Sequence, residues 1–421
     1  MTRLVLTNAT LVPGDGPVRQ RASVVIDGET IESVSDDGAV EFRPDDRVVD
    51  LGGRTIMPGM VTAHYHPSYH RLGSTPLPAG FEEPPAYLTL LASNAMELAI
   101  DSGFTGAIGA GTGWGIDASL ARAVEEGLIR GPRYIPCSRN LGTTGFSLDY
   151  STPWYWDVKT QIDIGTADGA DEFRKLVRGE IKQGARIVKL FATGGHLSIT
   201  PEEQQEMTYH ELESAISTAH ACQAKARAHT AHPGTTLMAV KLGLDIVDHG
   251  DGLDTACIDA MLERGTFLAP SLRLPVSMAE VNHTYFPAEH VYSEIDYMLK
   301  VLPEANKAGL KMLLGDDYGV VTLDHGRYAE ELGYYVNVAG IPALDVIRWA
   351  TINGAEAMGM GDRTGSVVPG KLADLLVVDG DVVADVTILE DKSKLLAILK
   401  GGVFMKDELS AIERASIANA A

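Results

Sequence analysis

The chain is expected to adopt an α/β fold: a (β/α)8 TIM barrel that carries a small discontinuous β-sandwich built from both chain ends. Three observations lead there. From Arg54 onward, short apolar runs alternate with amphipathic stretches, which is the pattern of parallel β–α–β construction. Eight such runs can be counted, a number that suits a closed barrel better than an open sheet. The segments on either side have another texture, with β-rich runs separated by Gly, Asp and Pro turns.

In chain order, Leu4–Leu6, Ser23–Ile26 and Thr30–Val34 are strand candidates set apart by turns such as Gly14-Asp15-Gly16 and Asp27-Gly28. The barrel strands are expected at Thr55–Ala63, Phe104–Gly109, Arg133–Cys137, Ile187–Ala192, Ala226–His229, Ile246–His249, Thr266–Ser271 and Met312–Gly315. Helices are expected between them, among them Asp171–Gln183, Tyr209–Cys222 and Ser293–Ala308. After Ala357 the β-texture returns at 371–379 and 395–402. Residues 1–57 and 360–406 therefore read as the β-sandwich, 58–359 as the barrel, and 407–421 as a terminal helix or tail.

Composition narrows the function classes. Of 421 residues, 45% are hydrophobic and 22% charged, enough to bury a large core in a globular enzyme. A net charge of −22 repels phosphate backbones, so nucleic acid is not an expected partner. No apolar run approaches the ~20 residues that cross a bilayer, so no membrane partner is expected either. The start MTRLVLTNATLV has no leader pattern, and a cytoplasmic protein is expected. Cys137, Cys222 and Cys257 lack metal-ligand spacing and read as reduced, buried thiols. The expected partners are a small-molecule substrate and further copies of the chain in a homo-oligomer.

Chemistry concentrates at the predicted strand ends. His64 and His66 stand two apart at the end of an apolar strand, so both imidazoles point to one face and can bind one metal. Lys189 lies inside Ile187-Val188-Lys189-Leu190-Phe191, where a bare ammonium is costly. Such a lysine is either salt-bridged or converted by CO2 into a carbamate whose oxygens bridge two metals, and its place at a strand end favours the second. Asp316 is its expected rival partner. His229 and His249 end successive strands, and Asp316 and Asp317 follow the eighth. Imidazoles with a carboxylate suit zinc and similar metals, and barrel enzymes collect their catalytic groups at this face. His196 is a candidate for contacting oxyanion or substrate. Trp154, Tyr155 and Trp156 are expected to pack a loop onto the barrel.

The segments PGMVTAHYH, VKLFATGG, HTAHPGTTLMAVKLGLDIVDHG, LLGDD and GSVVPGKLADLLVVDG follow one another as in the amidohydrolase superfamily, which the chain resembles over essentially its whole length. The closer likeness is to the branch of prolidase-like dipeptidases and imidazolonepropionase-like proteins. That resemblance implies two Zn2+ ions per chain bridged by carbamylated Lys189. It implies His64 and His66 on the first metal, His229 and His249 on the second, and Asp317 as ligand and proton shuttle. Arg139, His232 and Asp316 are then the substrate-side candidates. The chain departs from the branch by its second carboxylate, Asp316, and by lacking both an Arg-Asp pair after the second strand and a His-rich loop after the third.

The expected reaction is attack of metal-bound hydroxide on an amide, urea, carbamate or cyclic amide. A dipeptidase would need a basic carboxylate reader such as Arg139 or Arg273. A one-metal deaminase would not need Lys189, and a non-catalytic scaffold would not need the ligands.

Overall fold

The computed structural model describes residues 3–36, 38–72, 81, 83–149, 153–155, 162–195, 201, 203–280 and 288–410. The first strands are β1 (Leu4–Leu11), β2 (Arg19–Asp27), β3 (Thr30–Asp36), β4 (Arg47–Asp50) and β5 (Thr55–Pro58). The central region holds β6 (Met60–Tyr65), β7 (Phe104–Gly109), β8 (Arg133–Ile135), β9 (Cys137–Gly142), β10 (Ile164–Thr166), β11 (Ile187–Phe191), β12 (Lys225–Thr230), β13 (Ile246–His249) and β14 (Phe267–Ala269). Near the end come β15 (Leu375–Val378), β16 (Leu395–Lys400) and β17 (Val403–Asp407).

Strands from both chain ends share one eight-stranded sheet of order β17-β16-β15-β5-β1-β2-β3, with β4 added alongside β1. Its two faces follow from the two-residue period of a strand. In β15, Leu375 and Val377 enter a core with Leu4, Leu6, Val24 and Ile56. Leu376 and Val378 turn the other way, into the large core that covers the parallel strands. The predicted run Thr55–Ala63 is broken at Gly59: β5 stays in this sheet, and β6 opens the parallel region.

The central strands are parallel throughout, in sheets β6-β7-β8 and β10-β9-β11-β12-β13-β14. Helices such as Ala170–Lys182 and Tyr209–Ala221 lie between them, within a residue or two of their predicted bounds. This is a mixed α/β fold of the TIM-barrel type, but its ladder is not one continuously paired cylinder. Pro136, which has no N–H to give, separates β8 from β9. The expected eighth strand, Met312–Gly315, is present only as isolated pairing: Leu313 N–H donates to Leu268 O (2.8 Å) and Ala63 N–H to Leu314 O (2.6 Å). Strands β4, β10 and β17 escaped the sequence reading, as did β9 beyond Cys137.

Beneath the carboxyl ends of the parallel strands lies a layer of Val61, Ala63, Ile108, Cys137, Ile187, Ile246, Ala269 and Leu313, closed below by Ala357 and Met358. β12 contributes nothing to it. Its Ala226 and Ala228 join the outer core, which faces the helices, so Lys225, Arg227 and His229 turn inward. Lys225 Nζ donates to Ala357 O at the base (2.6 Å), Arg227 sits at mid-height, and His229 reaches the mouth.

Among the described residues no helix is long and apolar enough to cross a membrane. Cys137 and Cys257 are buried as expected, but Cys222 is exposed. Trp154 and Tyr155 are exposed rather than packed; Trp156, His196 and most of the expected terminal helix (411–421) lie outside the described residues.

Because β1 lies between β2 and β5 and also pairs β4, removing residues 1–50 strips one edge of β5 and half of its core. We expect that truncation to be insoluble on expression. A soluble, active truncated protein would show that the terminal sheet is dispensable.

Candidate metal centre

His64 is the penultimate residue of β6 and His66 follows the strand, so both rings emerge at the same mouth. Their Nε2 atoms each lie 3.1 Å from Asp317 Oδ1. His249 at the end of β13 completes the group, its Nε2 3.9 Å from Asp317 Oδ2. One donor atom from each of His64, His249 and Asp317 lies within 4.8 Å of the others, spacing that can hold a metal ion.

Two backbone features bring these donors together. His249 has φ +63°, in the left-handed region that few non-glycine residues enter. Alternation along β13 would turn Asp248 and His249 to opposite faces; the reversal lets both reach the interior. Gly315 (φ +152°) packs against the backbone of Ala63 and His64, where a Cβ would overlap the His64 nitrogen. The close approach delivers Asp317 to the histidines.

The donors stand in metal-binding protonation states. Burial pushes the His64 imidazole down to about 4 and, with His229 adding to the effect, His249 well below its ordinary value. Both are neutral at pH 7 and offer lone pairs. Against the upward push of burial, His64, His66 and His249 hold the Asp317 carboxyl well below the usual range. His64 Nε2 is buried close to Asp317 yet lacks the alignment of a hydrogen bond. Neutral imidazoles converging on a carboxylate are the donor set of a divalent metal, and the residues fit it.

The outer contacts hold the rings. His66 Nδ1 is 2.8 Å from Gly111 O, and its ring stacks on Tyr69 at 4.1 Å. His229 lies beside the trio, 4.6 Å from the His249 ring and stacked on Phe191, with Nε2 3.0 Å from Gly194 O. Gly195 is needed there, since a side chain would overlap that nitrogen.

Lys189 is fully buried on β11, as its apolar neighbours imply, but its partner is not Asp316. Its Nζ donates to Asp248 Oδ2 at 2.6 Å. Burial pushes the ammonium below its ordinary value, with Asp248 opposing. Arg227, at the register position beside Lys189, also grips Asp248, Nε to Oδ2 at 2.9 Å and Nη2 to Oδ1. The sequence reading missed Arg227 and Asp248. The available signal was spacing: Arg227 stands two residues before His229 on one strand and shares its face.

The substrate-side candidates scatter. Arg139 is tied to Glu180 (2.7 and 2.9 Å) and to Ile164 O, facing helix Ala170–Lys182 rather than the histidines. His232 caps helix Pro233–Lys241, half-buried on the loop beyond His229. Asp316 is wholly buried and accepts from the backbone N–H groups of Arg273 (2.6 Å), Leu274 (3.3 Å) and Asp317 (2.8 Å). It anchors the loop after β14 instead of facing the mouth. Burial and the Asp317 charge push its carboxyl up to about 7. Glu331, which accepts from Gly315 N–H at 3.0 Å, is pushed well above its ordinary value by burial and by Asp316.

Histidines and a carboxylate gathered at the ends of parallel strands, over an apolar layer, define a hydrolase of the TIM-barrel type. The chain belongs to the amidohydrolase family, whose model matches residues 55–405. It is a hydrolase acting on carbon–nitrogen bonds. Ochratoxinase of Aspergillus niger is 24% identical over 94% of this chain and 85% of that protein. A crystal structure of a Xaa-Pro dipeptidase with bound methionine superposes with TM-score 0.86 at 26% identity, covering 96% of this chain and 100% of that one. A prolidase complexed with N-methylphosphonate-L-proline superposes with TM-score 0.85 at 28% identity and the same coverage.

Carboxyls protonated in the folded state but not in the unfolded one stabilise the fold fully below their unfolded value, and the effect is lost as pH rises through the folded one. For Asp316 the loss begins near 4 and runs through about 7, and Glu331, raised well above its ordinary value, adds to it in the same direction. We expect the thermal midpoint of metal-free protein to fall between about pH 4.5 and 7, and Glu331→Gln to make that slope shallower. An unchanged slope would show that the pair contributes nothing to it.

Proposed function

We propose that the protein cleaves a C–N bond of an amide, urea, carbamate or cyclic amide in a small molecule, using two zinc ions bridged by carbamylated Lys189. One observation carries this reading: three imidazoles from two strands, His64, His66 and His249, converge on one ionised carboxylate, Asp317. His64, His66 and Asp317 would hold one ion, His229 and His249 the other. The burial of Lys189 supports the bridge, since a depressed pKa supplies the neutral amine that reacts with CO2. The accompanying fold reading is a closed barrel over 58–359 with a β-sandwich from 1–57 and 360–406; the bonds tying 311–314 to Leu268 and Ala63 support closure.

When bound, the metal supplies Lewis acidity to the scissile carbonyl and lowers the pKa of a water from ~16 to about 7. The protein supplies the remainder. Asp317, ionised and at the centre of the cluster, takes the proton of the attacking water. As the new C–O bond forms and the C–N bond breaks, it passes that proton to the departing nitrogen. His64 and His249, held neutral by burial, do not compete for it. His232, on the loop beyond His229, is a substrate-side candidate.

The prolidase structures favour a dipeptidase as the second reading. Its carboxylate readers are already engaged, Arg139 by Glu180 and Arg273 by Glu330 at 3.4 Å, so the broader amide reading has more support.

Screening the zinc-loaded protein against N-acyl amino acids, dipeptides, lactams, ureas and carbamates identifies the substrate. With that substrate, His64→Ala, His229→Ala and Asp317→Asn should each lower kcat at least ~10^3-fold; near-native turnover in any of them would remove this mechanism. Lys189→Ala should lose about half the bound metal and nearly all activity, with partial rescue by formate or acetate. Full retention of a single metal in that variant would replace the bridged pair by a one-metal, deaminase-like centre.

A further inference from the structure

For His64 to give its Nε2 lone pair to a metal, the proton must sit on Nδ1, and a buried N–H needs an acceptor. Two lie in reach. Asp248 Oδ1 is 3.5 Å from His64 Nδ1, and Ser271 Oγ is 3.3 Å away. The serine hydroxyl donates to Gly315 O at 3.1 Å and can accept with its remaining lone pairs. The aspartate differs in carrying a charge that polarises the imidazole and strengthens its free nitrogen as a ligand.

Asp248 is built to stay charged and in place. It is fully buried, and Arg227 clamps both its oxygens. The same guanidinium donates through Nη1 to Ala63 O and Gly109 O, both at 2.8 Å. Arg227 thus ties the carboxylate across the interior to β6, at the residue preceding His64. Lys189 occupies Oδ2 and leaves Oδ1 facing His64. If Lys189 turns to the metals as a carbamate, its hold on Asp248 ends while the Arg227 clamp remains, and the carboxylate is free to close on His64.

We propose that Asp248, clamped by Arg227, is a positioning residue that accepts the Nδ1 proton of His64 and so aims Nε2 at the metal. The inference rests on the metal-centre reading above and adds to it the group that fixes the tautomer.

The test titrates zinc against a competing chelator in the full chain, normalised to the folded fraction, for wild type, Asp248→Asn and Ser271→Ala. Selective 15N-histidine labelling reads the tautomer of His64 in each zinc-loaded protein. Asp248→Asn should weaken the tighter zinc site by about 10–100-fold and shift the His64 signals away from the Nδ1-protonated form, with Ser271→Ala losing much less. Should Asp248→Asn fail to fold because it strands Arg227, the double variant Arg227→Met/Asp248→Asn removes both charges and must show the same zinc loss. Wild-type zinc affinity and tautomer in either Asp248 variant, or the whole loss appearing in Ser271→Ala, would overturn the proposal while leaving the metal centre standing. A wild type that binds no zinc would overturn the metal reading and this inference with it.

Discussion

Placing an arginine, a lysine and an aspartate in the middle of a hydrophobic barrel costs several kcal/mol per ion in lost hydration, and the arrangement persists only where each charge is answered. Here Arg227, Lys189 and Asp248 answer one another, and the spare donor of Arg227 is used by the carbonyls of Ala63 and Gly109. The interior around the mouth is organised by that contact. It joins β12 and β13 to β6 and β7 across the barrel, and it sets Lys189 and His64 on opposite oxygens of one carboxylate. The apolar layer below excludes water and strengthens these charge contacts.

Above that cluster the donors are arranged by backbone geometry as much as by side-chain type. The reversal at His249 and the side-chain-free approach of Gly315 to His64 bring together donors from three separate segments. A scaffold that fixes the spacing of such side chains before any ion arrives suits a metal-activated hydrolase. Asp316 and Glu331 contribute from behind: their carboxyls take up the backbone N–H groups of Gly315, Asp317, Arg273 and Leu274, fixing the loops that present Asp317.

Membership of the amidohydrolase family fits this division of labour. Ochratoxinase and the prolidases resemble the chain along nearly its full length while differing in the substrates their names imply. The likeness extends over the whole scaffold of parallel strands. In this chain Arg139, on β9, and Arg273, at the start of the helix Arg273–Glu280, are held in ion pairs.

The motifs around His64, His66, His229, His249 and Asp317 were legible in the sequence because strand ends announce themselves: an apolar run of alternating period stops, and a polar residue with a turn follows. The same local logic located most of the parallel strands and the two helices Ala170–Lys182 and Tyr209–Ala221. Partner choice was not legible. In Lys225-Ala226-Arg227-Ala228-His229 the alanines pack under the helices and the polar side chains face inward. Lys189 was assigned a rival in Asp316 from proximity to the mouth, whereas Asp248, adjacent to His249, holds it. Local periodicity is a property of a few consecutive residues and so belongs to the sequence by itself. Which face of a strand is inside, and which of several buried charges meet, depends on segments brought together from about 20 to 250 positions apart, and only the tertiary structure decides it.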